Sequence, residues 1–202
     1  MKFIERKSLL FFFLIAISAL ILDQSSKLAS TFYLLKHEEL DNSRIYQGSR
    51  YAVFTLGEDS QSDSGAQKSM ALSFQFNYVR NHGAAYGLLR NLPENIRLQV
   101  FHVGTLLGCA AFTLLGLTTL ININGRARFG LILMVSGALG NFLDRLRLGY
   151  VVDMLDLKFH NNQFRFYPPV FNVADIFVVV GLILLIFSIV IETKSVEKES
   201  FE

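Results

Sequence analysis

Four apolar runs, almost free of charge, constrain this 202-residue chain more than any other feature. Ser8 to Leu22 is uncharged for 15 residues, Leu98 to Gly125 for 28, and Phe129 to Leu143 for 15. Tyr167 to Ile191 carries one charge, Asp175, in 25 residues. A bilayer-spanning helix needs about 20 mostly apolar residues, because each residue rises only about 1.5 Å. The second and fourth runs reach that length alone. The first reaches it by taking in Asp23 and Lys27, and the third by taking in Asp144 and Arg145. A single run of 15 residues also suits a buried soluble helix, but four such runs leave too little polar chain to cover a soluble core. The sequence therefore predicts an all-α membrane protein with helices at about 8–28, 98–121, 128–147 and 171–192, read as one integral membrane domain over 1–202. Charged residues make up 18% of the chain, where a soluble domain carries about a quarter. The formal charge of +2 offers no basic face for nucleic acid. A lone cysteine, Cys109, excludes an internal disulfide framework and a multi-cysteine metal site.

The first run also has the form of a cleaved secretory signal, with Lys2, Arg6 and Lys7 ahead of its apolar core. Its apolar core gives way to Asp23-Gln24-Ser25-Ser26-Lys27, without a small-x-small cleavage site, so a retained helix is the expectation. Lys2, Arg6 and Lys7, then Arg126 and Arg128, then Lys194 and Lys198, fall on one side of a four-span topology, which places both termini in the cytoplasm. Arg145, Arg147, Lys158 and Arg165 fall in the other short link and oppose that rule, a conflict that eases if those arginines serve a site. The first outer loop runs over 29–97, with a polar stretch from Glu58 to Lys68 that reads as an insertion. Ser73 to Val79 alternates Phe74, Phe76 and Tyr78 with Gln75 and Asn77, the period of a strand. Gly83 and Gly87 bracket a tight turn.

Carboxylates inside or beside the spans point to chemistry, since ionisable groups at membrane depth are costly and usually functional. At the helical rise, Asp23 and Asp144 each lie roughly 22 Å along their spans, in a core about 30 Å thick. The fourth helix runs the opposite way and puts Asp175 about 6 Å below the outer surface. The three acids thus share one layer beneath the outer face. Each has a structural explanation as well: an Asp23–Lys27 ion pair, an Asp144–Arg145 pair, an Asp175 helix cap. Asp153 and Asp156 have equal claims from composition, and their depth is undefined because Gly149 interrupts the helix before them. No Ser/His or Cys/His arrangement accompanies the acids. Cys109 and His102 read as packing residues on the second helix, and His82 and His160 lack metal-ligand spacing. Two neighbouring carboxylates share one proton, so that one acts as base and the other as acid. Such a pair suits water-driven amide hydrolysis without metal or cofactor. A proton- or ion-coupled transporter is the alternative class.

Four motifs discriminate between them: Asp23-Gln-Ser-Ser-Lys27; Asn77-Tyr-Val-Arg-Asn81-His-Gly83-Ala-Ala-Tyr-Gly87; Gly137-Ala-Leu-Gly-Asn141-Phe-Leu-Asp144-Arg145-Leu-Arg-Leu-Gly149-Tyr-Val-Val-Asp153; and Phe171-Asn172-Val-Ala-Asp175. In this order around four spans the chain closely resembles the lipoprotein signal peptidases, or signal peptidase II. The resemblance implies a bacterial inner-membrane aspartyl endopeptidase, without metal or cofactor, that cuts a diacylglyceryl prolipoprotein just before its lipidated cysteine. It implies four spans with a small β-rich periplasmic subdomain in the first outer loop, lying on the membrane surface. It implies Asp153 and Asp175 as the catalytic pair, and Asp23, Lys27, Asn81, Gly83, Asn141, Asp144, Arg145 and Asn172 as supporting or substrate-contacting residues. Inhibition by globomycin, contact with membrane lipids and a monomeric enzyme go with it. Depth arithmetic favours Asp144 where the resemblance favours Asp153, and both stay in view. His82 and Tyr86 stand where the family commonly has Thr and Phe, and Glu58–Lys68 lengthens the first loop.

Overall fold

The computed structural model describes residues 2–34, 51–56, 71–83, 89, 91–118, 124–161 and 163–199. The polar stretch Glu58–Lys68 and the turn residues Ala84 to Gly87 lie outside them. In chain order come α1 (Lys2–Leu34), β1 (Tyr51–Leu56), β2 (Ala71–Asn81), α2 (Glu94–Thr118), α3 (Gly125–Leu148), β3 (Val151–His160), β4 (Arg165–Phe166) and α4 (Val173–Glu199). All four helices contain stretches long and apolar enough to cross a membrane, at Leu10–Leu34, Glu94–Leu114, Gly125–Leu148 and Val173–Ile191. Helix α1 continues to Leu34, beyond the expected end near 28, because no Gly or Pro follows Asp23 to break it.

The chain forms two units. One contains Met1–Ser25, Glu94–Arg147 and Val173–Glu202, and the other Ser26–Pro93 and Leu148–Asn172. The first unit is helical, and α3 is its centre: 44% of its spanning window is buried, against 6–17% in the others. Small residues make this possible. Gly130 and Gly181 face each other so closely that a Cβ on either would stand about 2.6 Å or less from the other's carbonyl oxygen, the close backbone approach on which helices rely in lipid. Leu106, Leu107, Val179, Ile183 and Ile186 are exposed on α2 and α4, as lipid-facing positions are. The Asn124 side chain caps α3 by accepting the Ala127 N–H at 3.0 Å. Gly149 ends α3 at φ 79°, a left-handed turn that glycine adopts without strain.

The second unit is an antiparallel sheet in the order β1-β2-β3-β4. The β-rich subdomain expected from the first loop alone draws on two segments instead: that loop supplies β1 and β2, while the link before α4 supplies β3 and β4. A two-stranded hairpin is marginal by itself, and a third strand gives it a lasting partner. By register, Leu56, Phe54, Leu72, Phe74, Phe76, Leu155, Leu157, Phe159 and Phe166 share one face. Phe54, Leu56, Phe76 and Phe166 are exposed there. The opposite face holds Ser73, Gln75, Asp156 and Lys158, the last two paired at 3.1 Å. Nearer Asn81 that side packs Tyr78, Val152 and Met154 against Leu34 at the end of α1.

Candidate active site

In the helical unit the polar residues gather where α1, α3 and α4 meet. Asp23 is fully buried, and its Oδ1 accepts the backbone N–H of Ala174 at 2.9 Å. The first N–H groups of a helix have no intrahelical acceptor, and a carboxylate there also meets the positive end of the helix dipole. The cap read for Asp175 is thus supplied to α4 by α1. Gly140 makes room for this carboxylate: a Cβ at that position would meet Asp23 Oδ2 at 2.5 Å. Gln24 Nε2 donates to Asp23 Oδ2 at 3.0 Å, to the Gly140 carbonyl at 3.2 Å and to Asp144 Oδ1 at 3.1 Å. Its Oε1 accepts from Arg147 at 3.2 Å. Asp144, 2% exposed, therefore shares one amide with Asp23. One turn before it, Asn141 donates from Nδ2 to Asp175 Oδ1 at 2.8 Å. Arg145 donates to the Asn141 carbonyl at 3.3 Å and lays its guanidinium over Phe101 of α2, 4.3 Å from the ring centre, a cation–π contact.

In the sheet unit, Asp153 is 2% exposed and each of its oxygens accepts one amide. Asn81 Nδ2 donates to Oδ2 at 2.9 Å, and Asn172 Nδ2 donates to Oδ1 at 2.6 Å. Asn81 is itself pinned, because its Oδ1 accepts the Gly83 N–H at 2.9 Å, an Asx turn that directs the NH₂ group toward Asp153. The register explains why these two residues meet. Phe76 pairs with Leu155 and Val79 with Asp153, so Asn77 and Tyr78 together oppose Met154, and this bulge shifts the alternation by one residue. Val79 and Asn81 thereby come to the face of Asp153, and Tyr78 and Arg80 turn to the other. Without the bulge Arg80 would stand beside Asp153. On the far side Arg80 lies 5.1 Å from the Tyr150 ring, which also meets His82 at 5.3 Å. Lys27 is buried, 3% exposed, on the last part of α1.

The residues singled out by sequence thus fall into two sets. Asp23, Asn141, Asp144, Arg145 and Asp175 come together on the helices; Asn81, Gly83, Asp153 and Asn172 come together on the sheet and the segment after it. Asp156 turns to the opposite strand face and to Lys158. His102 packs edge-on against Phe142 at 5.4 Å. Gln24, Phe101 and the Asn77–Tyr78 bulge were not read from the sequence. For Gln24 a signal existed: an amide beside a buried acid in an apolar run must find partners in lipid. Among the described residues no group of three or more His, Cys, Asp or Glu is arranged to hold a metal ion.

The family described as Signal peptidase (SPase) II matches residues 15–191. A lipoprotein signal peptidase of Clostridioides difficile is 42% identical over 123 residues, which cover 60% of this chain and 74% of that protein. One of Caldanaerobacter subterraneus is 40% identical over 112 residues, covering 55% and 68%. Among solved structures, a bacterial membrane enzyme determined by the in meso method at 2.3 Å is 25% identical with a TM-score of 0.58, covering 92% of this chain and 90% of that one.

Proposed function

The chain belongs to the signal peptidase II family, a membrane peptidase that removes signal peptides from prolipoproteins, and we propose that Asp153 and Asp175 are its hydrolytic pair. One observation carries this reading: both carboxylates accept side-chain amides from asparagines of the same motifs, Asp153 from Asn81 and Asn172 and Asp175 from Asn141. An acid held by an amide keeps one orientation, which general acid–base chemistry requires. The covalent chain adds support. Asp175 follows Asn172 by three residues, a stretch that reaches at most about 10 Å.

In this mechanism one carboxylate takes a proton from water as the hydroxide oxygen attacks the scissile carbonyl carbon. The other, protonated, gives its proton to the carbonyl oxygen. Collapse of the tetrahedral intermediate breaks the C–N bond: the nitrogen leaves with the proton held by the first acid, and one hydroxyl of the intermediate returns its proton to the second. The cut falls before the diacylglyceryl cysteine, whose amine becomes the new N-terminus. The enzyme is a multi-pass bacterial membrane protein. Both termini are placed in the cytoplasm by Lys2, Arg6 and Lys7, Arg126 and Arg128, and Lys194 and Lys198, against the opposing Arg145, Arg147, Lys158 and Arg165, and the catalytic pair then lies near the outer leaflet. The exposed Phe54, Leu56, Phe76 and Phe166 suit a sheet whose apolar face rests in that leaflet.

The test is cleavage of a diacylglyceryl prolipoprotein by the purified protein in detergent, as a monomer and without added metal. Cleavage at the cysteine that globomycin blocks is the expected result. No cleavage, with proton-dependent solute uptake by liposomes holding the protein, would instead show a transporter.

A further inference from the structure

We propose that Gln24 is a positioning residue for Asp175, acting through Asp23 and the first turn of α4. The proposal rests on the reading of Asp175 as catalytic. The Gln24 amide carries two hydrogens and meets three acceptors: Asp23 Oδ2, Asp144 Oδ1 and the Gly140 carbonyl. Arg147 donates to its oxygen. Two buried carboxylates that would repel each other are thus bridged by one neutral donor, and a cation on its far side polarises it. The consequence reaches α4 in one step. With Oδ2 of Asp23 held by Gln24, Oδ1 is left directed at the Ala174 N–H. Asp175 is the next residue, and its Oδ1 is met by Asn141, the residue after the Gly140 carbonyl that Gln24 also engages. Gln24 therefore touches both supports of Asp175: the cap that fixes its backbone and the turn of α3 that carries its amide donor. Removing the Gln24 donor removes a bond on Asp23 Oδ2 that helps to keep Oδ1 turned toward α4.

The experiment uses the full-length protein in detergent and measures kcat, KM and thermal unfolding from about pH 5 to 9 for wild type, Gln24→Met, Gln24→Glu and Asp175→Asn. Gln24→Met keeps the length and removes both donors. It is expected to lower kcat about 10- to 100-fold, since a misplacement of about 1 Å at a reacting group can cost on the order of 10²-fold, with KM within about twofold and folded protein retained. Gln24→Glu places a third carboxyl beside Asp23 on α1 and Asp144 on α3, with Arg147 opposite it and Asp175 beyond the cap on α4. It can donate only while protonated, so its kcat is expected to rise toward acid pH along a limb absent from wild type. Wild-type kcat in Gln24→Met, or losses in both variants that follow the fraction of unfolded protein at every pH, would overturn the proposal. An inactive Asp175→Asn beside a fully active Gln24→Met overturns the role of Gln24 alone. An active Asp175→Asn overturns the reading of Asp175 and the proposal with it.

Discussion

Replacing Gly137 with alanine adds one methyl group where α3 meets the first turn of α4. A Cβ at Gly137 would stand 2.3 Å from the Ala174 carbonyl oxygen and 2.9 Å from Val178 Cγ2. Comfortable contact for such atoms begins near 3.5 Å, so the turn must retreat by about 1 Å. Backbone cannot swing aside as a side-chain tip can, which puts the cost toward the upper end of the roughly 1–3 kcal/mol of overpacking. Alanine recovers about 1 kcal/mol of that through helix propensity. The expected net loss is about 2 kcal/mol. Activity suffers more, because Ala174 precedes Asp175 and a misplacement of about 1 Å can cost on the order of 10²-fold in rate. Gly108→Ala on α2 is the matched control, since nothing lies within 4 Å of its new methyl group. That variant is expected to gain about 0.5–1 kcal/mol and keep full activity. Thermal unfolding in detergent and cleavage of a diacylglyceryl peptide measure both. A Gly137→Ala protein that unfolds no lower than wild type and cleaves at the wild-type rate would refute the argument.

Three further outcomes are expected. Asp153→Asn and Asp175→Asn should each lower cleavage by about 10²–10⁴-fold in a folded protein, with the double variant little worse; an inactive but stable Asp144→Asn beside an active Asp153→Asn would move the pair to Asp144 and Asp175. EDTA should leave the cleavage rate unchanged, and loss of activity restored by zinc would contradict the metal-free mechanism. Deleting residues 58–68 should leave cleavage largely intact, because loop length costs little free energy; complete loss in a well-folded deletion would show that the stretch meets substrate.

Much of the helical half was legible because an α-helix has a fixed rise. Counting residues from the start of each run put Asp23, Asp144 and Asp175 in one layer, and in the helical unit Asp23 and Asp144 share Gln24 while Asp23 meets the turn that carries Asp175. The sheet was half legible. Alternation announced β2, and the same period stands in Leu155-Asp-Leu-Lys-Phe-His160 of β3, where it was not read from the sequence; only the start of the strand, Val151-Val-Asp-Met154, hides the period with apolar residues on both sides. Its partner lies 70 to 89 residues earlier in the chain, from Asn81↔Val151 to Ala71↔His160, and no local rule specifies that pairing. The bulge at Asn77–Tyr78 was out of reach for the same reason, since a bulge is defined only against the opposite strand. Hence Asn81 and Asp153 were named separately through family resemblance, and only the register of β2 with β3 shows that they meet.

The bond from Asp23 to Ala174 joins residues 151 apart, one on the first helix and one on the last. Chains are synthesised from the N-terminus at about 5–20 residues per second, so α1 waits on the order of ten seconds in the bilayer before α4 is made. Throughout that interval Asp23 has no helix end to cap, and Asp175 does not yet exist. On the proposed pairing of Asp153 with Asp175, the enzyme is silent during its own biogenesis, and its final helix arms it. On that pairing a truncated or stalled nascent chain, holding α1 to α3 and the sheet, would lack half of its hydrolytic pair and could not act as a stray protease in the same membrane.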